Sequence, residues 1–81
     1  MNGIDRWVGA VSQELGLSAV PSDVRTILAM TKDVAHNVDR PAAPVTAYLV
    51  GISVGRGKSL PEAIKCVQEL ADSWAGHSEE S

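Results

Sequence analysis

Cysteine is almost absent from this sequence, and its scarcity excludes two classes of small protein. The one cysteine among 81 residues, Cys66, has no partner in the chain, so a framework of internal disulfides is excluded. A zinc site made of several cysteines is excluded for the same reason. The two histidines, His36 and His77, complete no set with the spacing of zinc ligands. We therefore expect no metal, no other cofactor and a reducing, cytoplasmic setting.

Positive charge and long apolar runs are also scarce. Seven Lys and Arg residues stand against ten Asp and Glu, which gives a formal net charge of -3. Such a chain lacks the basic surface that replaces counterions on a nucleic acid. The longest apolar run, residues 47–52, contains Gly51 and is far shorter than the ~20 residues that cross a bilayer. We expect neither a nucleic-acid partner nor a membrane partner.

The sequence does contain helical periodicity, in four segments. Apolar residues recur at steps of three and four within residues 4–15, 22–37, 42–56 and 60–75. Residues typical of helix ends lie between these segments: Ser22 as an N-cap, Gly16 and Gly57 as stops, and Ser59 with Glu62 as a capping box. No segment alternates as a strand would. The sequence predicts an all-α, compact four-helix bundle-like domain over residues 1–76, followed by a disordered polar tail over residues 77–81.

The third predicted helix is apolar on nearly every side. Val45, Tyr48, Leu49 and Ile52 share one side, and Val50 lies on another. A helix of this kind is typically central, so we expect helix 3 at the middle of the bundle. Its small residues also form a row at steps of four: Ala43, Ala47, Gly51 and Gly55. Such a row lets a neighbouring backbone approach closely, and it leaves open whether the chain is a monomer or a weak homodimer.

Two short segments, one within helix 3 and one just after it, resemble catalytic motifs. Residues 51–55 fit the G-x-S-x-G pattern of hydrolases, but that motif needs a strand before the serine, and here the helical period continues through it. We expect Ser53 to be helical, with its hydroxyl bonded to a carbonyl one turn earlier. Residues 57–59 imitate a P-loop, which requires glycine where this chain has Ile52. With no catalytic residue found, we predict that the chain is not an enzyme.

The polar segment from Lys32 to Thr46 is the better candidate for a binding site. Its candidate ligand-binding residues are His36, Asn37, Asp39, Arg40 and Thr46. His36 and Arg40 are neighbours if helix 2 extends that far, and the corner faces the start of helix 3, where free N–H groups favour an anion. The alternative is a purely structural corner, in which Asp39 caps helix 3 or pairs with Arg40 and His36 bonds a helix-end carbonyl.

The segment DVAHNVDRPAAPVTAYLVGISVGRG, residues 33–57, resembles the core of a family of small actinobacterial helical domains of unknown function. The likeness extends to the opening with Trp7, Ala10, Gln13 and residues 14–17, and it covers about residues 4–75. Its most distinctive part is H-x-V-x-R-P-A-A-P, at residues 36–44. Members of that family occur alone or attached to molybdenum-cofactor guanylyltransferases. The resemblance therefore implies a link to molybdenum-cofactor metabolism, but it transfers no catalytic residue.

Two hypotheses for the function follow. The first is a non-enzymatic helical interaction or accessory module with a protein partner of unknown identity, since the chain has a complete amphipathic pattern and no catalytic constellation. The second is a small anion- or nucleotide-binding domain that uses His36 and Arg40 at the start of helix 3. A phosphate-bearing or pterin-like anion would suit that corner.

Overall fold

A computed structural model describes residues 3–17 and 23–80, with side chains described for residues 3–17 and 23–74. Four helices follow in order: α1, Gly3–Glu14; α2, Val24–Asn37; α3, Ala42–Gly55; and α4, Leu60–Glu80. The described residues contain no strand, and the predicted all-α four-helix fold is confirmed. Asp23 occupies the N-cap position of α2, and Ser22, the predicted cap, lies outside the described residues.

The ends of α1 and α3 are set by two glycines. Gly16 has a φ of 73° and Gly57 a φ of 112°, a left-handed conformation that side chains with a Cβ adopt only with strain. The residue after each glycine donates its N–H to the carbonyl five residues earlier, at 2.8 Å in α1 and 3.1 Å in α3. This is the pattern of a Schellman motif, and both predicted stops are confirmed.

Ser59 caps the start of α4 as predicted, but the Glu62 carboxylate does not bond the Ser59 N–H as a full capping box requires. The helix also ends later than the sequence indicated. The Glu62 N–H donates to Ser59 Oγ at 3.3 Å, and the Ser59 hydroxyl donates to the Glu62 carboxylate at 3.0 Å. The helix then passes Gly76 and continues to Glu80, through most of the segment for which a disordered tail was predicted. Glycine weakens a helix, but it ends one abruptly only where it takes a positive φ; among the described residues Gly16 and Gly57 do so.

The core lies where α2, α3 and α4 meet. Met30 of α2 is fully buried and packs with Val50 of α3 and with Ala63 and Ile64 of α4. Partly buried side chains surround this cluster: Ile27, Leu60 and Val67. The α2 helix packs extensively on both α3 and α4, whereas α3 and α4 touch each other over fewer residues and α1 packs much less on the other three helices. The α2 helix is therefore the centre of the fold.

The central place expected for helix 3 is corrected by this arrangement. Val50 is the one buried residue of α3, while Tyr48 is 72% exposed and Leu49 is 57% exposed. In the described part of the chain α3 packs mainly on α2 and α4, so much of its apolar circumference is exposed. Outside its own helix backbone, a Cβ added to Gly51 or Gly55 would meet no described residue within 4 Å, so no described part of the chain makes the close approach expected along the small-residue row.

None of the helices in the described part of the chain combines the length and the apolar character that a membrane crossing requires.

Candidate functional site

A groove of about 400 Å³ runs between α3 and α4, with α2 beneath it. It exists because small side chains line both walls where the two helices touch over few residues. These small residues are Ala42, Thr46 and Ser53 on α3, and Ala63, Cys66 and Ala71 on α4. Val34 and Val50 are the buried residues of α2 and α3 that line it. The groove is therefore a gap in the packing that is open to solvent and almost wholly apolar.

One charged side chain, Lys58, lies among the residues that line the groove. No ion pair joins it to another residue in the described part of the chain. Lys58 lies two residues before Leu60, the first residue of α4. Trp74 also lines the groove and lies 14 residues beyond Leu60, which is about 21 Å along the helix at 1.5 Å per residue. The groove thus has a cation near one end of α4 and an indole ring well along that helix.

The rim of the groove continues into a larger apolar surface. We call this surface the α3–α4 face and define it by six exposed side chains: Val45, Tyr48, Leu49, Ile52, Leu70 and Trp74. Leu49, Leu70 and Trp74 line the groove itself. Together the six expose on the order of 600 Å², given about 150–250 Å² for each fully exposed large aromatic side chain and somewhat less for each aliphatic one. The six do not form one flat patch, because Tyr48 lies two positions before the buried Val50, about 200° around the helix.

The corner between α2 and α3 does not assemble as the anion hypothesis requires. The α2 helix ends at Asn37, so His36 and Arg40 are not neighbours one turn apart in a helix. Both side chains are exposed, as is that of Asp39, and none of them forms a hydrogen bond or ion pair with another described residue. The structural alternatives fail too: α3 has no side-chain cap, and His36 bonds no helix-end carbonyl.

The start of α3 also lacks the free N–H groups that would attract an anion. Pro41 and Pro44 have no N–H to offer. Between them, the N–H groups of Ala42 and Ala43 donate to the carbonyls of the residues three positions earlier, at 3.1 Å each. The first turn therefore uses its donors internally, and the physical basis for an anion site at this helix end is removed.

Of the five candidate ligand-binding residues, one lies at the groove. Thr46 is half-buried and lines the α3 wall, whereas the groove lining includes neither His36, Asn37, Asp39 nor Arg40. The structure therefore separates Thr46 from the corner rather than joining it to His36 and Arg40.

The serine of the hydrolase-like motif is helical, as predicted. Ser53 is half-buried and lines the groove, but its hydroxyl forms no hydrogen bond to a carbonyl one turn earlier. Thr31 of α2 does form such a bond, to the Leu28 carbonyl at 3.0 Å. The carbonyl of Ser53 is instead used by the turn that ends α3, where it accepts the N–H of Lys58.

Two features of this region were missed by sequence reasoning. The first is the groove, whose signal is the set of small residues on facing sides of α3 and α4. The second is the hydrogen bond from Gln68 Nε2 to Asp33 Oδ2, which is 3.1 Å long, partly buried and joins α4 to α2. No pattern within either helix indicates this pair, because its members are 35 residues apart.

Metal-binding side chains do not come together in the part of the chain with described side chains. No group of three or more His, Cys, Asp or Glu residues is placed there to hold a metal ion. Cys66 is a free, exposed thiol on the α4 wall of the groove.

A titration with phosphate-bearing compounds tests the corner directly. We expect nucleotides and inorganic phosphate to cause no localised chemical-shift change at His36, Asn37, Arg40 or Thr46, because the α3 N–H groups are already bonded. A saturable change confined to these four residues would restore the anion-binding hypothesis. Buffer of the same ionic strength without the phosphate-bearing compound is the control, since exposed charges respond to salt alone.

Comparison with known proteins places the chain in a family without an assigned activity. The model of the family described as a domain of unknown function, DUF6457, matches residues 1–79. The chain belongs to this family. Searches of curated proteins and of solved structures give no match.

Proposed function

We propose that the chain is a non-enzymatic helical interaction module whose docking surface is the α3–α4 face. The observation that carries the proposal is the open, almost wholly apolar groove with the exposed side chains of Leu49, Leu70 and Trp74 on its walls. Burying such side chains in a protein interface removes them from water, which is the main favourable term in association.

The charge pattern of α3 supports the same proposal. Residues 42–55 contain no charged side chain, although the helix lies on the surface of the domain. Depletion of charge and enrichment in aromatic residues distinguish the cores of protein interfaces from ordinary surface. Tyr48 and Trp74 supply the aromatic side chains here.

The cellular context of the module is part of the proposal. The resemblance centred on residues 33–57 supports an accessory role in molybdenum-cofactor metabolism of actinobacteria. A free thiol at Cys66 is compatible with a reducing cytoplasm. In this role the module would recruit or position a protein, and catalysis would belong to that partner.

Cys66 offers a direct test of the docking surface, because it is the one cysteine of the chain and lies in the groove. A benzophenone maleimide attached to Cys66 is irradiated in an extract of the native host. We expect a discrete cross-linked product that excess unlabelled protein suppresses and that excess Leu49→Asp protein does not. Mass spectrometry of the product identifies the partner.

A matched control moves the probe to the exposed side of α4 away from the groove. In the double variant Cys66→Ser, Glu69→Cys, the label leaves the lining of the groove but stays on the same helix. Equal cross-linking from both positions, or a product that resists the unlabelled competitor, would show that the α3–α4 face is not the docking surface.

A further inference from the structure

We infer that the groove between α3 and α4 binds the alkyl chain of a linear carboxylate, with the carboxylate held at the end where Lys58 lies. The inference goes beyond the proposed function, because it assigns a small ligand to the groove and requires no protein partner. Its volume of about 400 Å³ lies within the ~300–1,000 Å³ range of small-molecule sites. The shape of the groove, its lining and the position of its one charge identify the class of ligand.

The groove is a straight and narrow channel. One wall runs from Ala42 to Ser53 along α3, and the other runs from Ala63 to Trp74 along α4. Each wall covers 11 residue steps, which is about 16 Å at 1.5 Å per residue. Spread over that length, the volume of about 400 Å³ leaves a mean cross-section of about 25 Å². An α-helix is about 10–12 Å across and needs at least about three times that area, whereas one extended alkyl chain fits.

The lining of the channel suits a chain that is apolar along most of its length. Val34 and Val38, in α2 and just after it, lie beneath the channel, and alanine, valine and leucine side chains form most of the walls. No Asp or Glu lies among the described residues that line it. An alkyl chain in this position leaves water for an apolar surface, which is the main favourable term in its binding.

One end of the channel carries the groups that would hold a carboxylate. Lys58 is the one charged residue of the described lining, and its ammonium group forms no ion pair or hydrogen bond with a described residue. The half-buried hydroxyl of Ser53 has no hydrogen-bond partner among them either. The two residues lie at the same end, since the Lys58 N–H donates to the Ser53 carbonyl at 3.1 Å. A carboxylate accepts hydrogen bonds from an ammonium group and a hydroxyl together, and its single negative charge matches the single cation.

The direction of the bound chain follows from the two ends of the channel. With its carboxylate at Lys58, the chain extends past Thr46 and Cys66 toward Trp74. An indole ring offers a large apolar surface to the last carbons of the chain. Dodecanoate in its extended form is about as long as the channel, so it is the probe that the geometry selects.

Titration of the full-length, isotope-labelled protein with dodecanoate, below the concentration at which it forms micelles, tests the inference. We expect saturable chemical-shift changes at Thr46, Ser53 and the indole N–H of Trp74, which lie on the two walls. Lys58→Gln should weaken the binding of dodecanoate by about fivefold, a modest effect because Lys58 is exposed. The same variant should leave the binding of dodecanol unchanged, since the alcohol has no charge.

A second variant tests the channel itself. Cys66→Phe places a ring in the groove and should weaken dodecanoate binding by at least about tenfold, because the chain and the ring compete for one narrow space. Glu69→Phe is the matched control, since it adds the same ring to α4 outside the groove lining. Circular dichroism establishes that each variant is folded.

Three results would overturn the inference. The first is a wild-type titration in which dodecanoate causes no saturable change in the channel, or causes changes centred on the exposed Trp7 of α1 instead. The second is a Lys58→Gln protein that binds dodecanoate as tightly as the wild type does. The third is dodecanoate binding that survives Cys66→Phe.

Discussion

Met30→Ala is expected to lower the free energy of unfolding by about 2–5 kcal/mol, the range measured for large-to-small substitutions in protein cores. Met30 is fully buried and is the α2 member of the buried cluster that it forms with Val50 of α3 and with Ala63 and Ile64 of α4. Removing its side chain leaves a cavity where three helices meet. A domain of this size has only a few kcal/mol in total, so the variant should be largely unfolded or should melt well over 10 °C lower. Urea unfolding followed by circular dichroism measures the change.

Two substitutions in α2 control this result. Met30→Leu keeps nearly the same volume and should cost less than about 1.5 kcal/mol. Leu28→Ala removes an exposed side chain from the same helix and should change stability by no more than about 0.5 kcal/mol. If Met30→Ala cost as little as Leu28→Ala, Met30 would not be the centre of the core.

Gly57→Ala is expected to destabilise the chain by roughly 1–3 kcal/mol, because the new Cβ must be held at a φ of 112°. Apart from the two neighbours of Gly57 in the chain, no described residue has an atom within 4 Å of the added Cβ, so the cost arises from backbone conformation and not from a clash. The turn that ends α3 and leads to the cap of α4 depends on this conformation, since the N–H groups of Gly57 and Lys58 both bond back to α3 there. Thermal unfolding should show a midpoint several degrees lower.

Gly51→Ala is the matched control and should have the opposite sign. Gly51 is in the interior of α3 with helical geometry, and an added Cβ again meets nothing. Alanine in such a position stabilises a helix by about 0.5–1 kcal/mol relative to glycine. Equal effects at positions 51 and 57 would contradict the conformational explanation.

The helices and most of their boundaries could be predicted because their causes are local. Periodic apolar residues, the glycines at 16 and 57 and the Ser59–Glu62 cap act over a few residues, and all of them are visible in the sequence. The predicted end of α4 was wrong, because the helix continues past Gly76 to Glu80. Glycine is tolerated inside a helix and ends one abruptly only where it takes a positive φ. Local signals indicated where α4 starts but not where it ends.

The position of α3 could not be predicted from its composition. The apolar side chains of a helix are stabilised when another surface packs against them, but the sequence does not say whether that surface belongs to the same chain. Tyr48 and Leu49 look like core residues in the sequence and are surface residues in the fold. The groove was hidden for a related reason, since it depends on which small residues of α3 and α4 face each other.

The candidate corner shows a different limit. His36 and Arg40 have the chemistry to bind an anion, but the hypothesis depended on free N–H groups at the start of α3. Pro41 and Pro44 already argue against those groups in the sequence, because proline has no N–H. The sequence does not show that the N–H groups of Ala42 and Ala43 bond to carbonyls within the turn itself. Only the structure shows this.

The hydrogen bond between Gln68 and Asp33 has a consequence for the internal motions of the domain. It joins α4 to α2, the two helices that already share the most extensive packing, whereas α3 packs less extensively and has one buried side chain, Val50. Local unfolding follows the least buried element, so α3 should be the first of these three helices to separate while the α2–α4 pair stays intact. An occupant of the groove would then act as a clamp that slows this separation by holding α3 against its two neighbours.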